Sequence, residues 1–278
     1  MSLSVHTNQS SLTAQRSLNS TQLSLNNSQQ RLSTGLRINS AKDDAAGLQI
    51  ANRMESQTRG LSVAQRNAAD GISMSQTAEG ALKEVSNILQ RQRELALQAA
   101  NETNSAEDKE ALNKEFTALN SELGRIQETT TFAGNKLFAA SGGVLGGSGV
   151  SFQVGADMDA SGNNQINVTV NTTAAFNVTG NLSASGDAAA ALTSIDAALT
   201  AVGGNMAELG AYQNRFQSTI NNLSNIEENV SVAKGRIMDA DIAKESANMT
   251  KQNMMMQAGI SVLSQANQTP SMIMGLLR

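Results

Sequence analysis

The chain has 278 residues, 40% of them apolar, a formal charge of −4, one histidine and no cysteine. The length suits one or two domains with a substantial core, while the charge offers no general attraction to nucleic acid. The absence of cysteine excludes disulfides and thiolate metal sites, and His6 alone leaves almost no scope for histidine catalysis or a histidine metal cluster.

Aromatic residues make up only 3%, with no Trp and a lone Tyr212. The core must therefore be built from Leu, Ile, Val, Met and Ala, which suit long packed helices better than sandwiches or barrels. Pro270 is the one proline, so nothing before it forces a helix to break. No apolar run approaches the roughly 18 residues of a membrane span, and the N-terminus lacks the apolar stretch of a cleaved secretory signal. Residues 1–42 contain no Asp or Glu but carry Arg16, Arg31, Arg37 and Lys42 among many Ser, Thr, Asn and Gln. Read alone, that composition also fits a mitochondrial transit peptide, although the apolar spacing continues through it.

The first segment, about 3–34, has sparse apolar residues: Val5, Leu12, Leu18, Leu25 and Leu32. The last three recur every seven, a single coiled-coil row on an otherwise polar helix. Such a helix buries too little to hold itself together. The second segment, about 43–101, opens with Ser40 and Asp43, the spacing of an N-cap with an acid at N3. From Leu61 it steps by threes and fours through Ala64, Ala68, Gly71, Ser75, Ala78, Leu82, Val85, Leu89, Gln92 and Ala96 to Ala99. A seam rich in Ala, Gly and Ser lets another helix approach closely, and Ile72, Ile88 and Leu95 widen the buried face.

A third helix is expected over about 105–128, capped by Ser105 with Asp108 and striped by Leu112, Phe116, Leu119, Leu123 and Ile126. Asn101 to Asn104 reads as a short turn, so the second and third helices should lie antiparallel. The fourth segment, about 132–187, is glycine-rich. Phe152 to Val154 and Ile166 to Val170 alternate apolar and polar, as strands do. Gly162-Asn163-Asn164 suits a hairpin turn between them, and Asn171 to Gly186 reads as surface loop. The fifth segment, about 188–269, carries apolar residues from Leu192 to Ile237 at about 3.5 residues per step, a coiled-coil period. Ile242, Met249, Met256 and Leu263 then recur every seven, and the tail from Met272 to Leu277 is apolar. Each end of the chain thus carries a heptad row that needs a partner, and the simplest partner is the other end. The expected fold is mainly α: an elongated antiparallel helical bundle or coiled coil formed by the N- and C-terminal halves, with a small β-hairpin region in the middle.

Several of these stretches resemble bacterial flagellins. Leu32-Ser-Thr-Gly-Leu-Arg-Ile-Asn-Ser-Ala-Lys-Asp-Asp-Ala-Ala-Gly47 and Leu89-Gln-Arg-Gln-Arg-Glu-Leu-Ala96 are similar to the family's N-terminal signature. Leu209-Gly-Ala-Tyr-Gln-Asn-Arg-Phe216, Ala258-Gly-Ile-Ser-Val-Leu-Ser-Gln-Ala-Asn267 and the final Leu276-Leu-Arg278 are similar to its C-terminal signature. The likeness covers about 1–140 and 188–278, and several long motifs in order make it specific.

The resemblance implies an inner domain of terminal helices, 1–43 with 236–278, and an outer helical bundle, 44–235, holding the β-rich stretch of about 132–187. The non-matching stretch is too short for the large central domains that many members carry. It implies a structural subunit that self-assembles into the flagellar filament, extracellular, exported without a cleaved signal, with no cofactor and no enzymatic activity. The implied partners are other copies of itself, an export chaperone, cap and hook-associated proteins and, in a vertebrate host, Toll-like receptor 5, with neither nucleic acid nor membrane. Arg91, Leu95 and Glu115 match the family positions that pack between subunits and meet that receptor. Gln92 departs from the pattern, where an aliphatic residue or Met is usual. A hook–filament junction protein with similar end helices is the alternative.

The remaining motifs read as structure. Arg91, Arg93 and Glu94 would otherwise be a solvated helix face. Arg91 and Leu95 are four apart and share a face, and the third helix should bring Glu115 beside them, leaving an apolar residue flanked by two charges. Met254 to Met256 at helical spacing read as adaptable packing rather than thioether ligands. Asp43-Asp44 and Asp239-Ala-Asp241 stand where helices begin, a capping position. The glycines at 142–149 lack the Lys-Ser/Thr of a phosphate loop, and no His-Glu-x-x-His is present.

Overall fold

The computed structural model describes residues 7–139, 142–147, 149–157, 163–183 and 185–276, with backbone alone for 172–173, 185–186 and 269–276. Helix α1 runs over Gln9–Thr34. Asn8 caps it, its side chain accepting from the Ser11 amide, and Gly35 ends it at φ +72, its amide donating to the Arg31 carbonyl. Helix α2, Ala45–Ala99, spans 55 residues. Its cap is Asp44, whose carboxylate accepts from the Gly47 amide at 2.8 Å. The expected pair Ser40 and Asp43 serves the preceding turn instead: one Asp43 oxygen accepts from the Asn39 and Ser40 amides and the Ser40 hydroxyl. All twelve seam residues from Leu61 to Ala99 are buried.

Helix α3, Ala106–Thr129, opens on the anticipated capping box, Ser105 and Asp108 each accepting from the other's backbone. Strands β1 (Thr131–Phe132) and β2 (Asn135–Lys136) form a two-residue hairpin. The alternation reading missed it, because its strands are too short for a period. The turn places Ala133 at φ 50 and Gly134 at φ 84, the left-handed pair that closes tight hairpins. Strands β3 (Val150–Gln153) and β4 (Gln165–Val168) pair antiparallel with Phe152 opposite Ile166. Asn163 and Asn164 form a turn just before β4, while Gly162 lies outside the described residues.

The stretch read as surface loop is partly interior. Helix α4, Thr172–Phe176, lies within it. Ala175, Phe176, Val178 and Leu182 are buried there, with the Phe176 ring 5.4 Å from that of Phe138. Isolated apolar residues among Asn and Thr give no periodic signal, so their burial is invisible until the helices supply a surface. The fifth segment divides into α5 (Ser185–Met238) and α6 (Ile242–Leu276), the latter continuing through Pro270. The break at Asp239–Asp241 has a cause across the chain. Leu36 and Asp239 form an antiparallel bridge, Arg37 donates its amide to the Met238 carbonyl, and Ala240 donates to Gly35.

The chain divides into two compact units, residues 1–56 with 230–278 and residues 57–229. The second holds the main core, where small residues of α2 admit large ones of α5. Gly71 sits beneath Phe216, which is fully buried and meets Phe152 edge-on at 5.4 Å.

Candidate functional site

In the first unit, α1 and α6 pack antiparallel. The Asn8 side chain donates to the Ala266 carbonyl at 2.7 Å, the Ser11 hydroxyl to the Asn267 side chain at 2.8 Å, and Leu18 lies against Gly259. The least exposed positions of α1 are Ser11, Ala14, Leu18, Thr21, Leu25, Ser28 and Leu32, with Arg31 beside the last. Those of α6 include Glu245, Met249, Gln252, Met256, Gly259, Leu263 and Ala266. Both sets repeat in steps of three and four, a coiled-coil seam. The expected rows, Leu18, Leu25, Leu32 and Met249, Met256, Leu263, are thus brought together.

Ile242 is not part of this seam; it is 48% exposed and Glu245 takes its place. In the register of Leu18 against Gly259, Ile242 stands level with Gly35, past the end of α1 at Thr34. Large residues alternate with small or polar ones along each helix, and in that register each large residue faces a small or polar one, which the heptad of large residues did not reveal. The seam also buries Arg31 Nε without a hydrogen-bond partner. The register set by Leu18 and Gly259 brings Arg31 and Glu245 to the same level. Outside the seam, Leu12, Leu23, Met254, Met255, Ile260 and Val262 are 46–71% exposed. The apolar tail residues Met272, Ile273 and Leu276 lie outside the described side chains, and Leu277 outside the described residues.

In the second unit, α2 carries a charged face. The Arg91 guanidinium donates through Nε and Nη2 to one Glu115 oxygen at 2.9 and 2.7 Å, and through Nη1 to Glu94 at 3.1 Å. The Glu115 carboxylate, then Glu94, holds Arg91 still more firmly protonated than a free guanidinium. Both partners of the Arg91–Glu115 pair are about half exposed, so it positions side chains more than it stabilises the fold. Arg93 reaches the other way and donates to Asp196 on α5 at 2.8 Å. Arg91 and Glu115 therefore meet as their spacing required.

Leu95 does not join them on the surface: it is 1% exposed and belongs to the core. Four residues from Arg91 along α2 puts Leu95 near the same side, but it turns inward to the cluster that also holds Phe116 of α3. The exposed aliphatic residue nearby is Leu97, at 50%. Gln92, also fully buried, lies on the seam. No cluster of three metal-ligating acids or histidines occurs among the described residues, and no described helix is long and apolar enough to cross a membrane.

Comparisons with known proteins bear on these surfaces. Residues 5–142 match the model of the bacterial flagellin N-terminal helical region, and 192–277 that of the C-terminal helical region. Flagellin D of Vibrio anguillarum is 38% identical over 376 aligned positions, and flagellin C of Vibrio cholerae serotype O1 is 39% identical over 383, each alignment covering both chains completely. These alignments exceed 278 positions, so the relatives carry segments that this chain lacks. A putative flagellar hook-associated protein from Vibrio parahaemolyticus has the same fold, with a TM-score of 0.54 at 18% identity, over 71% of this chain and all of that one.

Proposed function

Because this chain belongs to the bacterial flagellin family and is a structural subunit of the flagellar filament, we propose that its terminal helices form the inner, assembly-dependent part and its bundle the outer part. The inner part comprises 1–43 and 236–278, and the outer part 44–235. The single observation that carries this reading is the seam between α1 and α6. In it each large apolar residue meets a small or polar one rather than another large one, and apolar residues remain exposed outside it. Burying a large apolar side chain contributes roughly 1.5–3 kcal/mol, while ordering each residue costs about 1 kcal/mol or more. Two such helices need further copies around them, and a filament supplies them.

On this reading the protein acts outside the cell without catalysis. It is exported with its terminus intact, escorted by an export chaperone, and bounded in the filament by cap and hook-associated proteins. Arg91 and Glu115 lie on a face that serves contact with neighbouring subunits and, on released monomer in a vertebrate host, with Toll-like receptor 5. Leu95 supports that face from beneath. The test is electron microscopy of purified protein seeded with filament fragments. Long filaments are expected, and they should be lost on deletion of 270–278 while the unfolding of the bundle is nearly unchanged. Seeds that fail to elongate would favour a junction protein.

A further inference from the structure

The second unit contains a mainly apolar pocket of about 380 Å³. The β1–β2 hairpin, β3 and α2 frame it: Met74, Phe132, Leu137, Val150 and Phe152 line it, and Asp70 stands at its rim. Met74 and Leu137 are buried and form the floor, and Phe132 and Phe152 are half-buried walls. Asp70 is exposed and makes no ion pair among the described residues. An open apolar concavity beside a lone carboxylate suits an aliphatic side chain with a cation next to it.

We infer that this pocket receives Leu97 of a neighbouring copy of the chain, with Arg93 of that copy meeting Asp70. The inference rests on the filament reading above, and symmetry narrows the occupant. An open helical polymer repeats one heterologous contact, so the two patches that meet must face opposite ways on each subunit. Among the described residues of this unit, two large aliphatic side chains are markedly exposed, Val63 and Leu97. Val63 lies two turns before Asp70 and so on the pocket's own side of α2. In a parallel neighbour it points away from the pocket. Leu97 is seven and a half turns beyond Asp70 at about 3.6 residues per turn, which puts it on the opposite side.

The charges agree. Arg93 is one turn before Leu97 and donates to Asp196 through Nε, which leaves the outer nitrogens of its fork to reach a second carboxylate. Val63 is flanked by Arg59 and Arg66, so charge alone does not exclude it; the opposed direction does.

The chain contains no cysteine, so thiols can be placed without background. Chains carrying Leu97→Cys and chains carrying Asn135→Cys, the latter at the pocket rim, are copolymerised with excess wild type and treated with a short bis-maleimide. A cross-linked dimer should appear in filaments and not in monomer at the same concentration, and Val63→Cys with Asn135→Cys should give none. Leu97→Ser should raise the critical concentration for growth on the order of tenfold, with the monomer's unfolding midpoint unchanged. Filaments that give no Leu97 cross-link, or an equal one from Val63, overturn the inference while leaving the filament reading intact. So does an unchanged critical concentration for Leu97→Ser. Wild-type protein that forms no filaments overturns the reading itself.

Discussion

Across the contact between α2 and α3, the Gln92 side-chain amide donates to the Phe116 carbonyl at 3.4 Å, and Gln92 Oε1 is buried with no partner. The bond is long, and the second polar atom has exchanged water for nothing. A side chain of similar length without polar atoms removes that cost. Gln92→Met should therefore stabilise the bundle by about 1 kcal/mol and raise its thermal midpoint by about 2–4 °C. Calorimetry of the two proteins decides the matter, and a lowered midpoint for Gln92→Met would show that the amide contributes specific packing.

Gly71 leaves no room for a larger residue. A Cβ there would stand 2.6 Å from Phe216 Cζ, and the ring is itself pinned against Phe152. Gly71→Ala should cost about 1–3 kcal/mol through overpacking, more than its gain in helix propensity returns. Phe216→Leu should also destabilise, by leaving a gap. The double variant should be less unstable than the sum, since the alanine methyl occupies part of that gap. Urea unfolding of all four proteins measures the coupling.

The capping box gives acid stability a definite sign. The Ser105 hydroxyl first, then its amide, holds the Asp108 carboxyl below its ordinary 3.8. The amides of Asn39 and Ser40 do the same for Asp43. A depressed value in the folded chain means that the unfolded chain binds the proton more tightly. These contributions are present in full above the ordinary value and are lost as pH falls through it and below. Asp108→Asn and Asp43→Asn should therefore be less stable than wild type near neutrality, and the differences should shrink between about pH 5 and pH 2. Differences that stay constant over that range would refute the assignment.

The monomer's terminal helices should exchange their amides quickly. Their seam sets each large apolar residue against a small or polar one, and Met254, Met255, Ile260 and Val262 face outward. Hydrogen exchange over 9–34 and 242–276 is expected to be fast in monomer and slow in filament, while 61–99 stays protected in both. Strong protection of the ends in monomer would overturn the view that assembly orders them.

The Arg91 face is expected to serve two contacts. Arg91→Ala removes both of its ion pairs from an exposed site and should leave the unfolding midpoint almost unchanged. It should shorten filaments and weaken receptor activation by monomer on the order of tenfold. A variant that loses activation yet assembles normally would show that the contacts use different faces.

Much of the architecture is legible in the sequence because its signals are local. The small-residue seam from Leu61 to Ala99, the capping box at Ser105 and the heptad rows of the two ends each need only a few turns of helix to be recognised. What the sequence leaves open depends on residues far apart in the chain. Leu95 is buried in the cluster that also holds Phe116 of α3, although its position beside Arg91 suited a contact residue equally well. Asp239 ends α5 because Leu36, about two hundred positions away, pairs with it. The core role of Phe176 and Leu182 has no periodicity to announce it, and the hairpin at Ala133 and Gly134 is too short to show one. Tertiary packing alone decides which side of each helix meets a neighbour, since the hydrophobic pattern fixes a helix's apolar stripe but not the depth of its cover.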